Sequence, residues 1–144
     1  TGPTAGLNAY GARYNDTSQT LNLTIGSQTQ IPLSQTLPNL NTAYTSANAI
    51  TVNQAGTYEI NYFSNMTAAL ATTVTMAVRS NGTNIPSTVI SRALSVGVSS
   101  IYSGSIIVDL PAGAVIDLAM SALLAVRITL GTGLNASLSL KKLN

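Results

Sequence analysis

The chain has 144 residues, of which only ten are charged, six Lys and Arg against four Asp and Glu (net charge +2), and it contains no His, Cys or Trp. Those absences exclude disulfide scaffolds, thiolate or imidazole metal sites and histidine-based acid–base chemistry. Arg13, Arg79, Arg92 and Arg127 are scattered and only Lys141 and Lys142 are adjacent, so there is no basic stripe of the kind that grips nucleic acid.

The length fits one domain. Its hydrophobic fraction of 45% is ordinary, whereas its charged fraction of 7% is far below the roughly one quarter usual in soluble domains. Ser, Thr, Asn, Gln and Gly stand in for the missing charge, which suits a building element that hides much of its surface. The chain starts at Thr1 without a basic-then-apolar leader, and reads as a processed or partial form.

Gly2-Pro3-Thr4 is one Gly-X-Y triplet, the unit of the collagen triple helix; Ala5 stands where the next Gly would fall. Residues 1–5 therefore read as the end of a stalk and residues 6–144 as a globular domain. Within that domain, period-two alternation dominates. Leu21, Leu23 and Ile25 alternate with Thr20, Asn22 and Thr24. Ala55-Gly56 leads into a strand over 57–63, in which Tyr58, Ile60 and Tyr62 share one face and Glu59, Asn61 and Phe63 the other. Val74, Met76 and Val78 form the next alternating run, and Asn81-Gly82 after it predicts a two-residue hairpin turn. Pro111-Ala112-Gly113 separates a strand over 105–110 from one over 114–122. Leu134, Ala136, Leu138 and Leu140 alternate with Asn135, Ser137 and Ser139 in the last strand. The most apolar stretch, 106–130, is interrupted by Asp109, Pro111, Asp117 and Arg127, so it reads as core strands and not as a membrane span. A helix over 118–130 is the competing reading, disfavoured by the extended pattern of Ile128-Thr129-Leu130. Many short strands at such spacing predict an all-β sandwich or barrel.

Ala55-Gly56-Thr57-Tyr58-Glu59-Ile60-Asn61-Tyr62 resembles the Gly-x-Tyr-x-hydrophobic-x-Tyr strand of the C1q/TNF-like superfamily. The segment from Leu110 to Leu118 resembles its Leu-x-x-Gly-Asp turn, with Ala114 where the superfamily usually has Asp. Ala136-Ser137-Leu138-Ser139-Leu140 is similar to its last, central strand. Longer phrases carry a closer resemblance, to the C-terminal domain of BclA-type collagen-like glycoproteins of the clostridial spore exosporium. They are Gly6-Leu7-Asn8-Ala9-Tyr10-Gly11-Ala12-Arg13-Tyr14, Gly56-Thr57-Tyr58-Glu59-Ile60-Asn61-Tyr62-Phe63 and Arg79-Ser80-Asn81-Gly82-Thr83-Asn84-Ile85-Pro86, with the ending from Asn135 to Leu143. The resemblance implies a jelly-roll β-sandwich of about ten strands and a homotrimer on a triple-helical stalk at the spore surface. Its role would be to nucleate that stalk and form the outer tip. Thr4 resembles a stalk position that such proteins glycosylate. The alternative is a recognition module that binds a host glycan or protein in adhesion.

The carboxylates are Asp16, Glu59, Asp109 and Asp117. Asp109 and Asp117 flank the Pro111 turn, where a hairpin would bring them together as an acid pair; the bland reading has them facing water or pairing with Arg79, Arg92 or Arg127. Ser and Thr are abundant, but a nucleophile needs an activating base and none stands by, so the chain reads as no enzyme, with no catalytic, cofactor or metal residue assigned. Some C1q-like trimers hold calcium, and Asp109 or Asp117 repeated about a three-fold axis would supply oxygens, yet no calcium-loop spacing is present. The candidate trimer contacts are Tyr62 and Tyr102, as anchors with one polar handle, and Leu138 and Leu140, as residues of the last strand. For both tyrosines ordinary sandwich core is an equally good reading.

Overall fold

The computed structural model describes residues 7–144; Thr4 and the Gly-Pro-Thr triplet lie outside them. The strands are β1 (Tyr10–Asn15), β2 (Thr20–Leu23), β3 (Thr29–Gln30), β4 (Gln35–Thr36), β5 (Thr42–Ala43), β6 (Ile50–Val52) and β7 (Gly56–Ala68). They continue with β8 (Thr72–Ser80), β9 (Thr83–Asn84), β10 (Ile90–Leu94), β11 (Ser100–Leu110), β12 (Val115–Ala122), β13 (Val126–Leu130) and β14 (Ala136–Lys142). Four of these fourteen are only two residues long, which leaves ten of three or more. A single 3₁₀ turn, Pro86–Thr88, is the only helical element among the described residues, and none there is long and apolar enough to cross a membrane.

Two antiparallel sheets face each other. The first runs β2-β13-β7-β14-β1-β4, with β11 on the far edge of β7; the second runs β10-β8-β12-β6-β5, with β3 on β12 and β9 on β8. Side chains alternate across each strand, so one set from each sheet meets in the middle. From the first sheet come Tyr58, Ile60, Tyr62 and Met66; from the second come Met76, Val78, Leu118 and Met120, all buried in one core. Each such aliphatic side chain contributes about 1.5–3 kcal/mol on burial, so the alternation read along the chain is also the main source of stability.

The Asn81-Gly82 turn forms as predicted, with φ of 53° and 83° joining Ser80 to Thr83. Asn81 Oδ1 also accepts from the Val115 amide at 3.0 Å, which docks the turn on β12. The 118–130 segment is two strands, β12 and β13, and no helix. Two runs end sooner than the alternation suggests: Ile25 follows β2 in an exposed turn, and Leu134 precedes β14, also exposed.

The Pro111 turn makes no hairpin. β11 pairs with β7 in the first sheet and β12 with β8 and β6 in the second, so the chain crosses the sandwich there. Local turn chemistry marked the reversal correctly but carries no information about which sheet the next strand joins.

Arg13 shows how an irregular segment is held. Its guanidinium is buried, donates to the carbonyls of Leu33 (2.8 Å), Ser46 (3.2 Å) and Ala49 (3.1 Å), and lies 5.4 Å above the Tyr44 ring. Burial pushes its pKa down, opposed by the nearby Tyr44. Tyr44 in turn donates to the Ala12 carbonyl at 2.9 Å. The two side chains tie the loop-rich stretch 33–49 onto β1, which defines one border of the first sheet's outward face.

A candidate self-association face on the first sheet

The residues offered as trimer contacts turn inward. Tyr62 donates from its hydroxyl to the Thr88 carbonyl at 3.1 Å, and a Cβ at Gly104 would collide with its ring. Tyr102 is fully buried and donates to the Val74 carbonyl at 2.8 Å; burial pushes its phenol up to about 12. Tyr62 thus spans from the first sheet to the 3₁₀ turn, and Tyr102 from the first sheet to β8 of the second. Leu138 and Leu140 are also buried in the core of a single chain. These four therefore have no surface to offer a neighbour, and the core reading of the tyrosines stands in place of the interface reading. The cause is the parity of β7, β11 and β14: the larger alternate residue faces in, so the outward set is the one beside it.

That outward set is ordered in rungs across β11, β7, β14 and β1. Ser103, Phe63, Ser137 and Tyr14 form one; Ser105, Asn61, Ser139 and Ala12 the next; Ile107, Glu59, Lys141 and Tyr10 the third. The middle rung is built of small side chains between rungs carrying aromatics. It therefore forms the floor of a shallow trough of about 260 Å³, bordered by Leu7, Tyr10, Pro38 and Asn61. On the edge strand β11, Ile101 and Ile107 stand up from the same face, 52% and 65% exposed.

Charge on this face is confined. Lys141 Nζ lies 3.0 Å from Glu59 Oε2, and Asn61 donates to the same oxygen at 3.2 Å. The Lys141 contact first, and then Asn61, hold the Glu59 carboxyl below its usual range. At the head of the face, Oδ1 of Asn65 is buried without a hydrogen-bond partner, alone among the described residues in this.

The other carboxylates do not form a reacting pair. Asp117 takes both Arg79 nitrogens, at 2.8 and 2.6 Å, plus Gln30 at 2.9 Å, on the second sheet. Asp109 accepts from Thr57 Oγ1 at 2.7 Å on the first. The crossing at Pro111 keeps them in different sheets. The oxygens of Asp117 are committed to Arg79 and Gln30. A second depression, of about 360 Å³, lies at the base between Thr57, Asp109, Pro111 and Asn144 and opens widely to solvent.

A family model described as the BclA C-terminal domain matches residues 11–144. No curated protein matches the chain. Solved structures with the same fold include Eiger TNF from S. frugiperda (TM-score 0.68, 12% identity, covering 96% of this chain and 93% of that one). They also include the globular domain of zebrafish complement 1qA (TM-score 0.63, 12% identity, 94% and 98%) and murine APRIL at pH 5.0 (TM-score 0.62, 10% identity, 94% and 98%). At these identities the likeness is one of fold: a C1q/TNF-like jelly roll.

Proposed function

Because the chain belongs to the BclA C-terminal domain family, we propose that it is the trimeric head of a collagen-like glycoprotein on the spore surface. The head sets three stalk strands in register and forms the outer end of the filament. The observation that carries this reading is the outward face of the first sheet: troughed, with Ile101 and Ile107 exposed on its edge strand, and with charge limited to the Glu59–Lys141 pair, Asp109 at its lower end and Arg127 at its upper end. A triple helix needs three chains aligned from one end, and a ring of three heads supplies that alignment. The chain enters β1 at the same pole where β14 ends, since Tyr10 pairs with Lys141. Residues 1–5, including Thr4 as a glycosylation position, would continue from that pole as the last part of the stalk.

The face also suits a closed ring. Ile107 shares a rung with Tyr10, at the border of the trough on the opposite side of the sheet. An edge of one copy laid into the trough of the next therefore needs no shift along the strands. A head-to-tail contact closes into a ring when its rotation completes a turn, and otherwise runs into a filament.

The test is a refolding experiment. Chains extended upstream of Thr1 by Gly-Pro-X repeats, with and without the head, are melted and cooled while the triple-helix signal is followed by circular dichroism. The head-bearing chains are expected to recover the triple helix faster and independently of concentration. Equal recovery rates would remove the registering role.

A further inference from the structure

The pole farthest from the point where the chain enters β1 carries a crown of exposed aliphatic side chains. β2 ends there and turns through Ile25; β7 turns into β8 through Leu70; β10 passes to β11 through Val96 and Val98; β12 passes to β13 through Leu123 and Leu124. These loops are neighbours in space: the Ala69 amide donates to the Arg127 carbonyl at 3.0 Å and the Gly97 amide to the Ala68 carbonyl at 3.2 Å. Leu123 and Ile25, 72% and 70% exposed, are the two most exposed large hydrophobic residues of the described chain.

Two of these turns carry an aliphatic side chain at a corner. Ser27 donates back to Thr24 and Val98 back to Ser95, with Gly26 (φ 76°) and Gly97 (φ 70°) at the third position of each turn. The corner before each glycine, a place where Pro or a polar residue is usual, holds Ile25 in one turn and Val96 in the other. At the opposite pole the equivalent turns are Asn81-Gly82 and Pro111-Ala112-Gly113, whose corners before the glycine are Asn81 and the small Ala112. The loops 24–28, 69–71, 95–99 and 123–125 contain no charged residue. The nearest cation is Arg127, exposed one position inside β13, followed by Arg92 on β10; the nearest acid, Asp16, lies below, past the end of β1.

We infer that this tip is a lipid-contacting surface, which seats Ile25, Leu123 and their neighbours among the acyl chains of an anionic bilayer, with Arg127 and Arg92 at headgroup level. Single aliphatic side chains raised on short uncharged loops, with arginines behind them, match an apolar layer beneath a negative one. The crown points away from the pole where the chain enters β1. The contact is interfacial: side chains enter, and no segment spans.

The test mixes the whole chain with vesicles of phosphatidylcholine plus phosphatidylglycerol, and with phosphatidylcholine alone, and sediments them. Retention is expected on the mixed vesicles, weaker on the neutral ones, and at least about tenfold weaker for Ile25→Ser/Leu123→Ser/Leu124→Ser. These side chains face water in the protein, and the thermal melt of the variant confirms its fold. The chain has no Trp, so Leu123→Trp adds a direct probe: its emission shifts to the blue on mixed vesicles, whereas that of Leu143→Trp at the other pole does not. No retention on either vesicle, retention that the serine variant leaves unchanged, or tip-to-tip association of the protein with itself that the same variant abolishes, would each overturn the proposal.

Discussion

On the outward face of the second sheet, polar side chains have partners within the chain. Thr75 and Ser91 share a hydrogen bond of 2.7 Å, and Asp117 is clasped by Arg79 and Gln30. On the outward face of the first sheet, Ile101 and Ile107 stand in water on β11, and a trough lies open across the sheet from them over β14 and β1. Both faces draw on the same uncharged alphabet, so composition does not distinguish them. What differs is the apolar surface: the first face carries two exposed isoleucines on its edge strand, and exposed apolar surface of that kind suits contact with a neighbour.

The largest effect expected from this contrast is on assembly. Ile101→Asp with Ile107→Asp places two carboxylates on the first face, and the particle mass measured by light scattering should fall to that of one chain. Thr73→Asp with Thr75→Asp makes the same charge change on the second face and should leave the mass unaltered. If both pairs act alike, the distinction between the faces is lost.

Next in size is Tyr62→Ala. Removing a buried aromatic costs about 3–5 kcal/mol, and here it also leaves the Thr88 carbonyl without its donor. The loss should appear as a lower melting temperature of the protomer fold itself, read by the near-ultraviolet signal. A folded protomer of unchanged stability that merely fails to assemble would return Tyr62 to the interface.

The smallest effect concerns Glu59. Its carboxyl is held below the ordinary range by Lys141 and Asn61, so its contribution is present above the unfolded-state value of about 4.3 and is lost as pH falls through the folded value. The melting temperature should therefore drop slightly on acidification from about pH 5 to about pH 3, and less in Glu59→Gln. An identical drop in the variant would assign the acid sensitivity to the other carboxylates.

The fold was largely legible. Alternation located β7, β8 and β14, and positive-φ residues located the Asn81-Gly82 turn, because both signals act within a few residues. The assignment of strands to sheets was not legible at Pro111, where a good turn joins two sheets, nor were the two-residue strands β3, β4, β5 and β9, which form only because longer strands lie beside them. For the candidate face, the four residues named from the sequence lie on β7, β11 and β14 with the inward parity. In β7 it correctly grouped Tyr58, Ile60 and Tyr62 against Glu59, Asn61 and Phe63, yet large apolar residues are equally at home in a core and at an interface. Only the placement of both sheets decides between them, and it selects Phe63, Ile101 and Ile107, with Tyr10 and Tyr14, as the outward residues. The anchoring of residues 33–49 by Arg13 was hidden for the same reason: its three carbonyl partners are distant in sequence and carry no side-chain signature.

Assembly of the chain through its first sheet is tested most directly by the mass of the purified protein at micromolar concentration. Light scattering should give three times the 14.8 kDa of one chain, unchanged on dilution through that range. A stable particle of 14.8 kDa would contradict it.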